Sequence, residues 1–334
     1  MLYVTTRNNR DPFTAYRAMR EGRGPDGGFF LPFRHPMFSS EEINALAEKT
    51  FGQCVAEVLN RLFNMRLTGW DIDFCCGRAP VRLASLPHRI FIAESWYNPV
   101  GSFDHIPKVL TTQLCSECAE PSDWLNIAFR AAVWFGIFGE MKRMGIELAN
   151  ISVVSGDFTL PISAWYARHW GLPVGRIICC CNENNSLWEL LCHGQMRTDA
   201  ISMKTIIPDA DVSVPEKLER LIYEAGGLSE TAQYLDCCRR GASYHPGDSI
   251  LAKLRKEMYV SVVSSHRLKT TIPSVYRTHQ YLMMPGTALA YAGLLDYRAK
   301  TGETGPVIIW AEENPENRGD SLARIWHIPA EESI

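Results

Sequence analysis

Strand-like and helix-like segments alternate along the second half of the chain. Apolar runs at 151–154, 176–181 and 307–310 have the length of buried strands, and helical patterns at 161–170 and 286–300 lie between them. Strands that alternate with helices are typical of a sheet whose faces are covered by helices. The pattern therefore predicts an α/β fold of three layers, with a mostly parallel sheet between helices.

The first half of the chain is predicted to be richer in helix. Ser39 and Glu42 have the spacing of a capping box, with Phe38 placed as a hydrophobic staple, and apolar residues recur at helical intervals from 43 to 62. We expect one helix there, a buried strand at 89–93, a loop at 95–103 and a long helix at about 124–144. The apolar window 124–138 is too short to span a bilayer, and Arg130 lies in its middle.

Composition excludes several classes of protein. The 334 residues include 34 Lys and Arg and 37 Asp and Glu, a net charge of −3, which argues against a nucleic-acid or anionic-membrane binder. The opening residues contain no apolar segment typical of a signal peptide, and several of the 11 cysteines are adjacent in sequence. We therefore expect a reduced, cytoplasmic protein.

The turn that follows the strand at 151–154 is a candidate anion site. A turn of small residues before a helix presents unpaired backbone N–H groups and the positive end of the helix dipole, which can hold a phosphate. An aspartate within the turn competes with an incoming anion, and many such turns bind nothing. The candidate residues are Ser155, Gly156, Asp157, Phe158 and Thr159.

Motifs throughout the chain resemble the threonine synthase family. The opening contains Tyr3-Val4-Thr5-Thr6-Arg7 and Gly24-Pro25-Asp26-Gly27-Gly28-Phe29-Phe30-Leu31-Pro32. Later motifs in the family's order are Ser155-Gly156-Asp157-Phe158, Gly171-Leu172-Pro173-Val174, Asn182-Glu183-Asn184, Leu218-Glu219-Arg220-Leu221-Ile222-Tyr223 and Ala288-Leu289-Ala290-Tyr291. The resemblance implies a fold-type II scaffold, on which the family makes threonine from O-phosphohomoserine with pyridoxal phosphate. It also divides the chain into an N-terminal region, 1–85, and an α/β region, 86–334.

The residues of the family's chemistry are replaced. Asp104 stands where the resemblance places the lysine that forms the Schiff base, and a carboxylate cannot form one. Lys108 lies one helical turn further on, displaced by about 5.4 Å, and is a substitute candidate. Only residues 105–154 separate Asp104 from Ser155, so the family's small subdomain is predicted to be deleted.

The cofactor's two ends are also altered. The family's Gly-Asn-Phe-Gly turn becomes Gly156-Asp157-Phe158-Thr159, which adds a negative charge and loses a glycine. Glu312 takes the position that meets the pyridine nitrogen, the one change compatible with a retained cofactor. The resemblance thus implies a pseudoenzyme with a binding, regulatory or assembly role and no cofactor, while pyridoxal phosphate is left open.

Alternatives remain at this point. Asp104, Asp157, Glu312 and Glu313 would line the old cleft, where carboxylates suit acid–base work or a divalent cation, and Lys108 would suit a residual lyase. Cys115 and Cys118 have the spacing of half a zinc site. For partners we expect a small anionic ligand and a homodimer or partner subunit, since loss of a subdomain uncovers apolar surface.

Overall fold

The computed structural model describes residues 1–100, 103–114 and 121–318. Its strands are β1 (Leu2–Thr5), β2 (Phe13–Thr14), β3 (Phe30–Pro32), β4 (Arg82–Leu86), β5 (Ile90–Glu94), β6 (Ala149–Val154), β7 (Val174–Cys181), β8 (Met196–Arg197), β9 (Ser243–Tyr244), β10 (Met258–Val262) and β11 (Val307–Ala311). Its helices are α1 (Ala15–Arg20), α2 (Ser40–Asn44), α3 (Phe51–Phe63), α4 (Gly69–Cys76), α5 (Ile106–Leu114), α6 (Asp123–Arg143), α7 (Thr159–His169), α8 (Ser186–Trp188), α9 (Leu218–Arg240), α10 (Asp248–Glu257), α11 (Ser265–His279) and α12 (Pro285–Thr301).

The central sheet has six strands in the order β10-β7-β6-β11-β5-β4, all parallel except β4, which runs antiparallel to β5. Side chains alternate between its two faces. Along β5, Phe91 and Ala93 pack on the side of α3, α6 and α7, while Ile90 and Ile92 pack on the side of α11 and α12. The predicted three-layer fold, with a mostly parallel sheet, is confirmed.

The helix predicted over 43–62 is wrong as one element. The Ser39–Glu42 capping box is present, but α2 passes into a 3₁₀ turn and stops before Lys49. A second capping box, in which Thr50 and Gln53 exchange hydrogen bonds, starts α3. Two capping boxes within one apolar pattern make two helices, because each satisfies the backbone N–H groups of a new helix start.

The N-terminal residues form a small antiparallel sheet, β2-β1-β3, beside the central one. Its core is continuous with that of the large sheet, since Tyr3 and Phe30 belong to the same buried cluster as Trp134. The Tyr3 hydroxyl donates a hydrogen bond to the Leu62 carbonyl at 2.9 Å. Strand β4 pairs with β5, so the division predicted at residue 85 falls within a strand of the central sheet.

Helix α6 crosses the core between α3 and α7 and is buried over most of its length, including Arg130. The described chain passes from α5 to α6 with only residues 115–122 between them, and no second parallel sheet occurs in the described ranges. Both observations are compatible with the predicted absence of a small subdomain. Within the same ranges, no helix has the length and apolar character required to span a bilayer.

Candidate functional site

Three neighbouring strands, β6, β11 and β5, end at the same edge of the sheet. The turn with Asp157 follows β6, Glu312 follows β11, and the loop from β5 leads to Asp104 in a 3₁₀ turn before α5. Crevices outside the carboxyl ends of parallel strands are the usual ligand sites of α/β sheets. We call this edge of the sheet, with the side chains that follow its strands, the carboxyl-edge cleft.

Arg130 joins two sides of the cleft. From α6, its Nη2 donates to Asp104 and its Nη1 lies 2.9 Å from Glu312 Oε1. The guanidinium lies over the rings of Phe103 and Trp310, with centroids 5.5 and 5.7 Å away. Burial alone would lower the pKa of Arg130, but the carboxylates of Glu312 and Asp104 raise it above its ordinary value. The side chain is therefore a buried cation held between two acidic groups.

The turn after β6 is stabilised by its own carboxylate. Asp157 accepts hydrogen bonds from the backbone N–H and the hydroxyl of Thr159, both at 2.9 Å, at the first residue of α7. Lys217, just before α9, forms an ion pair with Asp157 and donates to Thr159 Oγ1 at 2.6 Å. Burial raises the pKa of Asp157, but Lys217 and the Thr159 bonds outweigh that effect, so the pKa lies below 3.8.

The same turn leaves little room for another group. Gly156 has φ +39°, and a Cβ on it would lie 2.8 Å from the Asp209 carbonyl oxygen. Phe158 takes a left-handed conformation, φ 75°, and its side chain is fully buried. Of the five predicted turn residues, Ser155 is buried and Thr159 nearly so, while Asp157 keeps 59% of its side chain exposed.

Glu312 directly follows β11. Its Oε1 accepts a hydrogen bond from Trp310 Nε1 at 3.1 Å, and 36% of the side chain is exposed. Burial raises the pKa of Glu312 above 4.5, Arg130 opposes that shift, and Asp104 adds to it. The cleft therefore contains one carboxylate that resists ionisation and one, Asp157, that resists protonation.

These opposite shifts predict opposite pH dependences. The pKa of folded Asp157 is depressed, so its stabilisation is present above pH 3.8 and is lost as pH falls through the folded pKa. The pKa of folded Glu312 is raised, so its stabilisation is complete below pH 4.5 and is lost as pH rises through the folded pKa. Above pH 4.5, we expect Asp157→Asn to cost a constant amount, under about 1 kcal/mol for this part-exposed pair. Glu312→Gln should gain stability relative to the native chain as pH rises from 4.5 to the folded pKa of Glu312.

Urea denaturation of each variant at several pH values in that range measures both effects. Glu316→Gln, an exposed carboxyl a few residues along the chain, is the matched control. A pH-independent difference for Glu312→Gln would contradict the raised pKa.

Two other candidate residues are at least partly accessible to solvent. Lys108 is exposed on α5, one turn beyond Asp104, and Glu313 is half-buried. Cys115 and Cys118 lie outside the described residues. Among the residues the structure describes, no group of three or more His, Cys, Asp or Glu side chains has the arrangement of a metal site.

Sequence reasoning missed Arg130 and Lys217 as members of the site. Arg130 carried a signal, since a single charge within an apolar helical window must be paired when that helix is buried. Lys217 carried none, because its partners Asp157 and Asp123 are distant in sequence.

Comparison with known proteins gives a consistent result. Residues 2–79 match the family model described as threonine synthase N terminus. A threonine synthase of Pseudomonas aeruginosa is 28% identical over 169 residues, covering 50% of this chain and 36% of that protein. Human threonine synthase-like 1 is 24% identical over 146 residues, covering 42% of this chain and 19% of the human protein. The chain thus matches only about a third or less of the length of these relatives.

Solved structures match over much more of the chain. The threonine synthase of Brucella melitensis with bound PLP superposes with a TM-score of 0.86 at 17% identity, covering 97% of this chain and 91% of that one. The yeast threonine synthase superposes with a TM-score of 0.84 at 15% identity, covering 98% and 90%. At these identities the match establishes a shared fold.

Proposed function

We propose that the chain is a threonine synthase-like protein, which the match of residues 2–79 to the threonine synthase N terminus model supports, and that it is non-catalytic, with a present role in binding, regulation or assembly. The observation that carries the proposal is Asp104, paired with a buried Arg130, at the position where the family resemblance places the Schiff-base lysine. Asp157 and Glu312 also support it, because they stand where the resemblance places the contacts to the cofactor's phosphate and pyridine nitrogen.

The described residues do not fit pyridoxal phosphate at its reactive end. A Schiff base requires an amine, and Asp104 has none. Its carboxylate is instead engaged by Arg130, and the guanidinium continues to Glu312 on the opposite side of the cleft. Lys108, the substitute candidate, is exposed one helical turn away on α5.

The phosphate end does not fit either. A phosphate at a helix start takes hydrogen bonds from the first backbone N–H groups. Here Asp157 takes the Thr159 N–H and hydroxyl, and its negative charge would repel a phosphate. With neither the covalent anchor nor the anion cradle available, we derive no catalytic step through this cofactor.

Exposed aromatic side chains support an assembly role. Trp70 and Phe74, one turn apart on α4, are 70% and 61% exposed, and their rings lie 5.6 Å apart. Helix α4 packs against α5, which leads to the point where a small subdomain would be inserted. A homodimer or a partner subunit in the cytoplasm would cover this surface. A small anionic ligand is the other partner that the family resemblance suggests.

The first test is an absorption spectrum of the purified chain with added pyridoxal phosphate, followed by borohydride reduction and peptide mass mapping. We expect no aldimine band and no specific reduced adduct, because no lysine stands at the position of Asp104. The Pseudomonas threonine synthase is the positive control. A stable adduct on Lys108 would overturn the proposal and return the chain to lyase chemistry.

The Asp104→Lys variant extends the same test. It restores the amine but leaves Asp157 in the turn and the subdomain absent, so we expect no threonine formation from O-phosphohomoserine. Measurable threonine would show that the losses outside position 104 do not prevent catalysis.

A second candidate function is acid–base chemistry by a repurposed cleft. The raised pKa of Glu312, on a side chain that remains accessible, favours it because burial stabilises the protonated form, which a general acid requires. The divalent-cation form of this idea has no support among the described residues, none of which form a metal-binding group. An unshifted titration of Glu312 would remove this candidate.

A further inference from the structure

The carboxyl-edge cleft contains side chains that match the cofactor group by group. The fold is that of proteins that hold a planar ring between a lysine and a polar partner, with a phosphate at a helix start. In this chain a titratable side chain with an ion-pair partner stands at each of those places. These side chains are either unrelated replacements or a connected group that substitutes for the cofactor.

We propose that Arg130 and Asp157 occupy the places of the cofactor's ring and phosphate, so that the cleft is folded and charge-balanced without any cofactor. The inference rests on the proposed function, because it takes Asp104 and Glu312 as the positions that flank the ring.

The guanidinium of Arg130 meets the requirements of the ring's place. It is planar and cationic, and it joins Asp104 at one end to Glu312 at the other. Phe103 and Trp310 cover it, and only 6% of the side chain is exposed. Within the described residues, its Nη1 has no hydrogen bond of good geometry, although Glu312 is 2.9 Å away.

The carboxylate of Asp157 meets the requirements of the phosphate's place. It accepts from the N–H and hydroxyl at the start of α7 and pairs with Lys217, which is itself 3.3 Å from Asp123. These are donors that a phosphate would take at a helix N-terminus. A built-in anion satisfies them permanently.

Each variant removes one of the two side chains, and a small molecule that resembles the missing group is then added. In Asp157→Gly, the α7 donors and Lys217 lose their anion, so we expect calorimetry to show inorganic phosphate binding at least tenfold more tightly than to the native chain. In Arg130→Ala, Asp104 and Glu312 lose their cation, so we expect millimolar methylguanidinium to raise the melting temperature of the variant by several degrees and that of the native chain by none.

Asp199→Gly is the matched control for the first variant, because Asp199 is an exposed aspartate paired with Arg197 outside the cleft. Asp157→Asn keeps the size of the side chain while removing its charge, and a smaller gain in phosphate affinity is expected from it. Equal phosphate affinity in Asp157→Gly and the native chain would overturn the phosphate part. If Arg130→Ala folds poorly, its refolding yield with and without methylguanidinium gives the same answer, and no effect of the probe would overturn the ring part.

The probe-binding tests and the aldimine test separate this inference from the proposed function. An aldimine in the native chain would end both ideas. Absence of an aldimine together with unchanged probe binding in the two variants would leave the non-catalytic proposal standing and refute only the substitution of the cofactor by side chains.

Discussion

Replacing Arg220 with alanine is expected to lower the free energy of unfolding by roughly 4 kcal/mol, the size seen when one partner of a buried ion pair is removed. Arg220 is fully buried, donates to the Phe30 carbonyl, and pairs with Asp123 at 2.5 Å. Its guanidinium lies 4.5 Å from the centre of the Phe29 ring. Alanine would leave the Phe30 carbonyl without its donor, leave Asp123 with only Lys217 at 3.3 Å, and open a cavity between β3 and α9.

Glu219, next to Arg220, also links the start of α9 to the N-terminal region. It accepts from Thr6 and, at 3.1 and 3.0 Å, from Arg7, so α9 holds the N-terminal sheet through two adjacent residues. The loss of Arg220 should therefore loosen the N-terminal region as well as reduce stability. Proteolysis of the native-state variant would report that loosening.

Urea denaturation measures the Arg220→Ala effect against Arg239→Ala, a matched arginine at the other end of α9 that is 76% exposed and pairs with Asp236. The control should cost less than about 1 kcal/mol, as exposed ion pairs do. Arg220→Lys retains the charge but not the two-pronged contact, so an intermediate loss is expected. If Arg220→Ala lowers the free energy of unfolding no more than Arg239→Ala does, Arg220 does not hold the N-terminal sheet to α9.

The central sheet could be predicted because its strands are short, apolar and bounded by turns. Runs such as 176–181 can only be buried, so β6, β7 and β11 follow from the pattern. Strand β10 was not predicted, since it lies at the sheet edge and mixes Tyr259 and Ser261 with apolar residues. Helix α9 was not predicted, and Gly227 at φ 70° interrupts its helical turns.

The candidate site was predictable only in part for a related reason. Asp104, Asp157 and Glu312 follow strands whose ends meet, so motif order alone places them together. Arg130 and Lys217 reach the cleft from α6 and α9, and which helix face meets the cleft depends on packing that no local pattern determines. The resemblance thus predicts which positions differ from the family's motifs, and the structure adds the contacts that Asp104, Asp157 and Glu312 make.

Replacing Arg130 with methionine is expected to lower the free energy of unfolding by roughly 3 kcal/mol at pH 7, near the lower end for a buried pair because the two acidic partners keep contact with water. Methionine retains much of the apolar contact with Phe103 and Trp310, so the loss measures mainly the removed charge. Without Arg130, Glu312 faces Asp104 with no intervening cation, and the pKa of Glu312 should rise further.

A second substitution tests whether Arg130 and Glu312 are coupled. In Arg130→Met with Glu312→Gln, the carboxylate left without its cation is Asp104, which is 69% exposed and can be solvated, so we expect a large part of the lost stability to return. Arg239→Met, at a 76% exposed arginine that pairs with Asp236 on α9, is the control and should change stability little. Denaturation should use urea, since guanidinium would itself enter the vacated place. Strictly additive losses for Arg130→Met and Glu312→Gln would show that the two groups are not coupled, and the cleft would then owe its stability to packing rather than to an arginine that balances its acids.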